Sequence, residues 1–173
     1  RPKPFNTSRL LQTASSTLNM SPKETMSLCQ TLYQEGLITY MRTDSMKYAR
    51  PFIDKATKFI QTKFGEKYLG PVEPIELKDS KDPHEAIRII NLDQNEIKSD
   101  NRRMCSLYGL IWKNTIQSIM CDYISINTEV RITAPQELHY SHIVEVPKVL
   151  GWKKLSEKED LTQDQNSGNG LLL

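Results

Sequence analysis

The stretch Ser21-Pro22-Lys23-Glu24-Thr25-Met26-Ser27-Leu28-Cys29-Gln30-Thr31-Leu32-Tyr33-Gln34-Glu35-Gly36-Leu37-Ile38-Thr39-Tyr40-Met41-Arg42-Thr43-Asp44-Ser45 holds a helix with both ends marked, followed at once by a short extended segment. Ser21 suits the N-cap, Pro22 the first helical position and Glu24 the third. Together they form a capping box in which side chains and backbone satisfy each other's orphan groups. Met26, Cys29, Leu32 and Tyr33 recur at helical spacing and are expected to face inward. Gly36 is the natural stop, because a residue without Cβ enters the left-handed conformation that closes a helix at no steric cost. Residues 37–45 then read as a short strand or extended turn.

That segment places a phenol, a guanidinium and a carboxylate at i, i+2 and i+4: Tyr40, Arg42 and Asp44. In extended backbone, residues two apart face the same side, so Tyr40 and Arg42 point together. A phenol can attack a phosphodiester and hold the product as a phosphotyrosine, yet an ordinary pKa near ~10 makes it a poor nucleophile at neutral pH. A fixed cation beside it favours the phenolate and offers paired donors to the crowded oxygens of a phosphoryl transition state. A bare Tyr-x-Arg also fits a buried tyrosine beside a solvated arginine, and Asp44 equally suits the capping of the following turn. Thr43 and Ser45 read as turn residues.

Outward from this stretch the pattern is helical, then β. Asn6 or Thr7 can cap a helix carrying Leu10, Leu11, Ala14 and Leu18. A further helix is predicted from about Arg50, with Pro51 in its first turn, to about Phe64. Phe52, Ile53, Ala56, Phe59 and Ile60 form its apolar stripe and Gly65 its stop. Residues 70–82 read as a surface loop, 84–90 as a helical turn and 92–98 as a connection. From Asp100, the series Met104, Leu107, Tyr108, Ile111, Trp112, Ile119 and Met120 marks one long buried helix. Beyond Cys121 the period becomes two, predicting two strands joined around Ala134-Pro135-Gln136-Glu137. The Gln-, Asn- and Gly-rich acidic tail from Ser156 reads as a flexible tail or connector.

Composition bounds the class. A length of 173 residues with 38% hydrophobic and 25% charged residues suits a globular chain of one domain plus part of another. No run approaches the ~20 apolar residues that span a bilayer, so no membrane partner is expected. Cys29, Cys105 and Cys121 lack metal-ligand spacing and read as free thiols. A net charge of +2 conceals an asymmetry, with eleven Lys and Arg against five Asp and Glu in residues 1–70, and four against eight in 71–100. The cationic excess lies with Tyr40, as docking of a phosphate backbone there would require.

A second candidate group is His84-Glu85-Ala86-Ile87-Arg88. His-Glu-x-x-His would suggest a zinc site, but Arg88 occupies the second ligand position and excludes it. On a helical turn His84 and Arg88 share a face and both can reach phosphate oxygens. A histidine with ordinary pKa near ~6.5 binds phosphate more strongly when protonated.

Gly36 to Ser45 resembles the active-site tyrosine motif of the type IA DNA topoisomerases, and the topoisomerase I branch in particular, because Met41 stands where the topoisomerase III branch more often has proline. Two further segments carry the resemblance. Pro4-Phe5-Asn6-Thr7-Ser8 is similar to the segment that opens the family's tyrosine-bearing domain, although Arg9 replaces an expected threonine. His84 to Arg88 is similar to the His-Glu-Ala-Ile-Arg-Pro signature, with Ile89 in place of the proline. The match runs from about Pro4 to about Leu155.

The resemblance implies an α+β, mainly helical fold. A helix-turn-helix or winged-helix-like tyrosine domain over residues 1–123 would precede a β-hairpin of the neighbouring arch domain over 124–155, with 156–173 as tail. It further implies Tyr40 and Arg42 as catalytic residues, and His84, Arg88 and Asp44 as DNA-binding ones. The reaction would be a transient 5′-phosphotyrosyl link to single-stranded DNA that relaxes negatively supercoiled duplex without ATP. Mg2+ would be bound by a domain absent from this chain, whose partners are the remaining domains of the enzyme, so the chain alone is expected to be inactive. The expected setting is intracellular and DNA-associated. The alternative is a non-catalytic winged-helix-like DNA-binding module.

Overall fold

Helix ends and their caps set the path of the chain. The computed structural model describes residues 1–72, 84–133, 135 and 138–156. Most of the predicted 70–82 loop, three residues of the 134–137 turn and nearly all of the 156–173 tail lie outside the described residues. Two compact units are present, Arg1–Cys121 and Asp122–Leu173.

In the first unit, α1 (Thr7–Leu18) starts where the Asn6 side chain accepts a hydrogen bond from the Arg9 amide, and ends at Asn19 in left-handed conformation, φ 51°. The second helix, α2 (Pro22–Gln34), begins at Ser21, whose hydroxyl accepts from the Glu24 amide at 3.2 Å. It closes as the motif expects. The Gly36 amide donates to the Tyr33 carbonyl at 3.0 Å and the Leu37 amide to the Leu32 carbonyl at 2.9 Å, with Gly36 at φ 69°. This turn aims the chain from α2 into the Tyr40 segment. Next come α3 (Arg50–Lys63), ended by Gly65 at φ 100°, and α4 (Arg102–Ile119), capped by Asn101, whose side chain accepts from the Arg103 and Met104 amides. At their N-terminal ends α2 and α4 are tied by a forked Glu24–Arg103 pair, and Arg103 also donates to the Asn19 carbonyl.

Residues 84–90 depart from the predicted helical turn. They run extended, bridged antiparallel to Phe5 through Ile87 and to Ile38 through Ile89. The reason is burial on both sides. Ala86, Ile87 and Ile89 are all fully buried, which no single turn of helix on a surface could achieve. Their amides and carbonyls are taken up by Phe5, Leu37, Thr39 and Lys47. Removing each isoleucine side chain from water contributes roughly 1.5–3 kcal/mol, enough to override a weak helical preference. Ile87 and Ile89 join Leu10, Leu32, Met41, Leu107 and Ile111 in one core. The long helix α4 is buried over more of its surface than its apolar stripe suggests, with Asn114, Thr115, Gln117 and Ser118 all buried.

The second unit is an antiparallel ribbon of β1 (Ile124–Thr133) and β2 (His139–Val149), followed by a 3-10 turn at Gly151–Leu155. The period-two alternation is present, since Ile126 pairs with Val146, Thr128 with Val144 and Ile132 with Tyr140. Among the described residues that apolar face stays exposed.

Candidate functional site

The Tyr40 segment is held from behind by the start of α1. The Thr7 amide donates to the Thr43 carbonyl at 3.0 Å, and the Thr7 hydroxyl accepts from the Thr43 amide at 3.0 Å and lies 2.8 Å from the Met41 carbonyl oxygen. Met41 and Thr43 are buried, at 1% and 5% exposure. Arg42 and Asp44, which alternate with them, are exposed, and Tyr40 is half-buried. Thr43 and Ser45 shape the turn, the Thr43 hydroxyl accepting from the Ser45 amide and the Ser45 hydroxyl from the Lys47 amide. Among the described residues no hydrogen bond engages the Tyr40 hydroxyl, and no hydrogen bond or ion pair engages the Arg42 guanidinium.

Tyr40 lines a cleft of about 660 Å3 whose walls come from the end of α2, the Tyr40 segment, the start of α3 and the 84–90 strand. Its ring lies between two others. Tyr33 meets it nearly edge-on at 5.4 Å between centroids, and His84 sits at 5.0 Å with its plane tilted by 44°. His84 is therefore brought to Tyr40, and extended backbone achieves this as a helical turn would have. Tyr33 corrects the sequence-based expectation that it packs inward. It is 41% exposed and forms part of the cleft wall. The helical period alone could not reveal this, because Tyr33 stands at the edge of the apolar stripe, one residue before the last of α2.

Arg88 is engaged within the protein. Its Nε and Nη2 donate to both oxygens of Glu85 at 2.9 and 2.6 Å, and its Nη1 donates to the Ile89 carbonyl at 3.0 Å. The guanidinium carbon lies 3.9 Å from the Phe52 ring centroid, and only 13% of the side chain is exposed. Glu85 also accepts from the Ala49 amide at 3.1 Å, standing in for the side-chain cap that α3 lacks. The pair thus pins the start of α3 to the strand bearing His84. Thr39, next to Tyr40, contributes similarly. Its hydroxyl is 3.0 Å from the Ala86 carbonyl oxygen and accepts from the Arg88 amide at 3.0 Å. Sequence reading assigns no role to Glu85 or Thr39 and gives Thr7 only a possible helix cap. All three stand inside quoted motifs, but Thr43, Ala86 and Ala49, which they meet, lie far away in the chain.

The segment holds a second phenol, which differs in kind. Tyr48 is 1% exposed, its hydroxyl is 2.9 Å from the Ser118 hydroxyl, and burial pushes its pKa up. Cys29 is likewise buried, and burial raises its thiol to about 12. Neither is suited to attack at neutral pH. No group of three or more metal-ligating side chains occurs among the described residues. No helix of the described residues is long and apolar enough to cross a membrane.

Comparison with known proteins agrees with the three motifs. The DNA topoisomerase family model matches residues 1–170. DNA topoisomerase 1 of Buchnera aphidicola is 44% identical over 127 residues, covering 69% of this chain and 14% of that protein. DNA topoisomerase 1 of Pseudomonas aeruginosa is 38% identical over 135 residues, covering 76% and 16%. The structure of full-length topoisomerase I from Thermotoga maritima superposes over 99% of this chain and 29% of its own, with TM-score 0.75 and 30% identity. The chain thus spans about a seventh of those two curated relatives. From the family model and these relatives together, it belongs to the bacterial type IA DNA topoisomerase family.

Proposed function

We propose that this chain supplies the nucleophile of a type IA topoisomerase. Tyr40 attacks a phosphodiester of single-stranded DNA, its oxygen bonding to phosphorus as the 3′ oxygen of the preceding nucleotide leaves with a proton. The product is a 5′-phosphotyrosyl link and a 3′ hydroxyl. The link retains the energy of the broken bond, so resealing by the reverse attack needs no ATP. Arg42 neutralises the attacked phosphate, and His84 holds the neighbouring backbone beside the Tyr40 ring. Asp44 acts at the DNA-facing side of the same turn. In this reading the helical unit is the winged-helix-like carrier of Tyr40 and the ribbon is the start of the arch. Negatively supercoiled DNA is the substrate because it supplies single-stranded character, and the setting is DNA-associated and intracellular.

One observation carries the reading: at the edge of a cleft, a half-buried phenol and the arginine two positions on both lack a hydrogen-bond partner among the described residues. Mg2+ belongs to this reading as an ion held by residues outside this chain. The described residues offer no cluster for it, and no step above passes through it.

The test mixes the chain with the remaining segments of a bacterial relative and a single-stranded oligonucleotide, then quenches with denaturant. A DNA–protein adduct should appear with the native chain and vanish with Tyr40→Phe. The chain by itself should relax no supercoiled DNA. An adduct that survives Tyr40→Phe would refute the assignment, and DNA binding without any adduct would favour a non-catalytic module.

A further inference from the structure

We infer that the cleft beside Tyr40 is a subsite for one unstacked nucleobase of the bound strand, with Tyr33 as its stacking platform. This rests on the reading of Tyr40 as nucleophile and extends it to a residue and a ligand group that the reaction itself does not require.

The cleft has the size and lining of a site for a flat heterocycle. Its volume of about 660 Å3 falls within the ~300–1,000 Å3 of small-ligand pockets. Its walls are mainly apolar and aromatic, from Tyr33, Ile38, Tyr40, Pro51 and Ile90. Glu85 also faces it, but that carboxylate is already neutralised by Arg88, so the charge that would repel a nucleic acid is cancelled within the wall. Tyr33 is the decisive group. A tyrosine that served only the core would be covered, whereas this one is 41% exposed and touches the Tyr40 ring nearly edge-on.

Single strands are held by aromatic faces beside cationic groups, because every base offers a π-face while its phosphates lie outside. The cationic groups are present. Arg42 stands exposed on the Tyr40 segment, and Arg50, held at 3.2 Å by Asp54 in an exposed pair that a phosphate can compete with, lines the cleft. A phosphate attacked by Tyr40 fixes its two flanking nucleotides within one sugar of the cleft, so the base entering it belongs to one of those two.

The test uses the chain complemented as above, with oligonucleotides cleaved at a single phosphate and an abasic site at either flanking nucleotide. At one of the two positions, loss of the base should weaken binding roughly 5- to 150-fold, the range for loss of one base–aromatic stack. Tyr33→Ala should abolish that penalty, and Tyr33→Phe, which keeps the ring, should retain it. A 2-aminopurine at the same position should change its fluorescence on binding to the unaltered chain, more than one placed three nucleotides away. Abasic sites without penalty at both positions would overturn the subsite, as would a penalty that persists undiminished in Tyr33→Ala. An intact oligonucleotide that forms no adduct would instead overturn the nucleophile reading, and the subsite would fall with it.

Discussion

Replacing Glu85 with Gln should lower the melting temperature of this chain by about 6–12 °C, more than an ordinary surface change would. The Glu85–Arg88 pair is mostly buried, with side chains 20% and 13% exposed, and the carboxylate accepts three hydrogen bonds, two from Arg88 and one from the Ala49 amide. Gln keeps one acceptor oxygen but turns the other into an NH2 that meets guanidinium donors, leaving a buried cation without its counter-charge. Breaking one side of a buried pair costs about 3–5 kcal/mol, and the retained acceptor and partial exposure place this case near 3. For a chain of this length each kcal/mol shifts the midpoint by about 2–4 °C. Far-UV circular dichroism melts would measure it. Adding Arg88→Met to Glu85→Gln removes the stranded charge and should recover part of the loss. A shift under about 3 °C, or a double variant whose loss equals the sum of the single ones, would show that the pair does not hold α3 to the 84–90 strand.

Three other outcomes are expected. Arg42→Ala should lower adduct formation about 100-fold and binding far less, because its contact strengthens as charge develops on the phosphate; equal losses would make it a positioning group. Lys55, Lys58 and Lys63 line a groove of about 500 Å3 that shares Ile90 with the Tyr40 cleft. Replacing all three with Ala should flatten the salt dependence of single-strand binding by about 2 in log–log slope, whereas an unchanged slope would exclude them from the path of the strand. Arg103 holds the Glu24 carboxyl below its usual range, chiefly through its hydrogen bonds, with help from the Ser21 amide. A depressed folded pKa stabilises above the unfolded value near ~4.3 and loses that gain as pH falls through the folded one. The stability gap between the native chain and Glu24→Gln should therefore be present near pH ~6 and close toward pH ~3, and a constant gap would refute the linkage.

Much of the helical frame was legible because its signals are local. Ser21-Pro22-x-Glu24, Gly36, Gly65 and Asn6 each act within one turn of themselves, and the structure uses all four as caps or stops. The two strands of the ribbon were legible for a similar reason, since period two persists across both. What failed was non-local. The helical-turn reading of residues 84–90 fails because seven residues carry too little periodicity to oppose it. Their true conformation comes from Phe5 and Ile38, far away in the chain. Nor does any sequence rule announce that Glu85, three residues earlier, pairs with Arg88 across extended backbone. The inward assignment of Tyr33 failed at the rim of a helical face, where a few degrees of rotation separate core from cleft. At the candidate site, the period of two is visible in burial alone, with Met41 and Thr43 buried between a half-buried Tyr40 and exposed Arg42 and Asp44.

Tyr40 and Tyr48 show how the same side chain acquires opposite properties within eight residues. Tyr48 follows a turn that drives it under α4, where its hydroxyl pairs with Ser118 and its ring packs edge-on against Phe52 at 5.2 Å. To ionise there, the phenol would shed a satisfied hydrogen bond and place a charge in apolar surroundings, both of which oppose reaction. Tyr40 is spared this by two neighbours. Met41 and Thr43 anchor the backbone on its inner side, taking the burial that the segment needs to be held firmly. The phenol is thereby left at the cleft with its ring braced by Tyr33 and His84 and its oxygen uncommitted among the described residues. The proposed role as nucleophile needs both conditions at once, since a mobile tyrosine would forfeit orientation and a fully packed one would forfeit its oxygen. Alternation of buried and exposed residues along one extended segment meets both, which is why the Tyr-Met-Arg-Thr-Asp order matters more than any single residue in it.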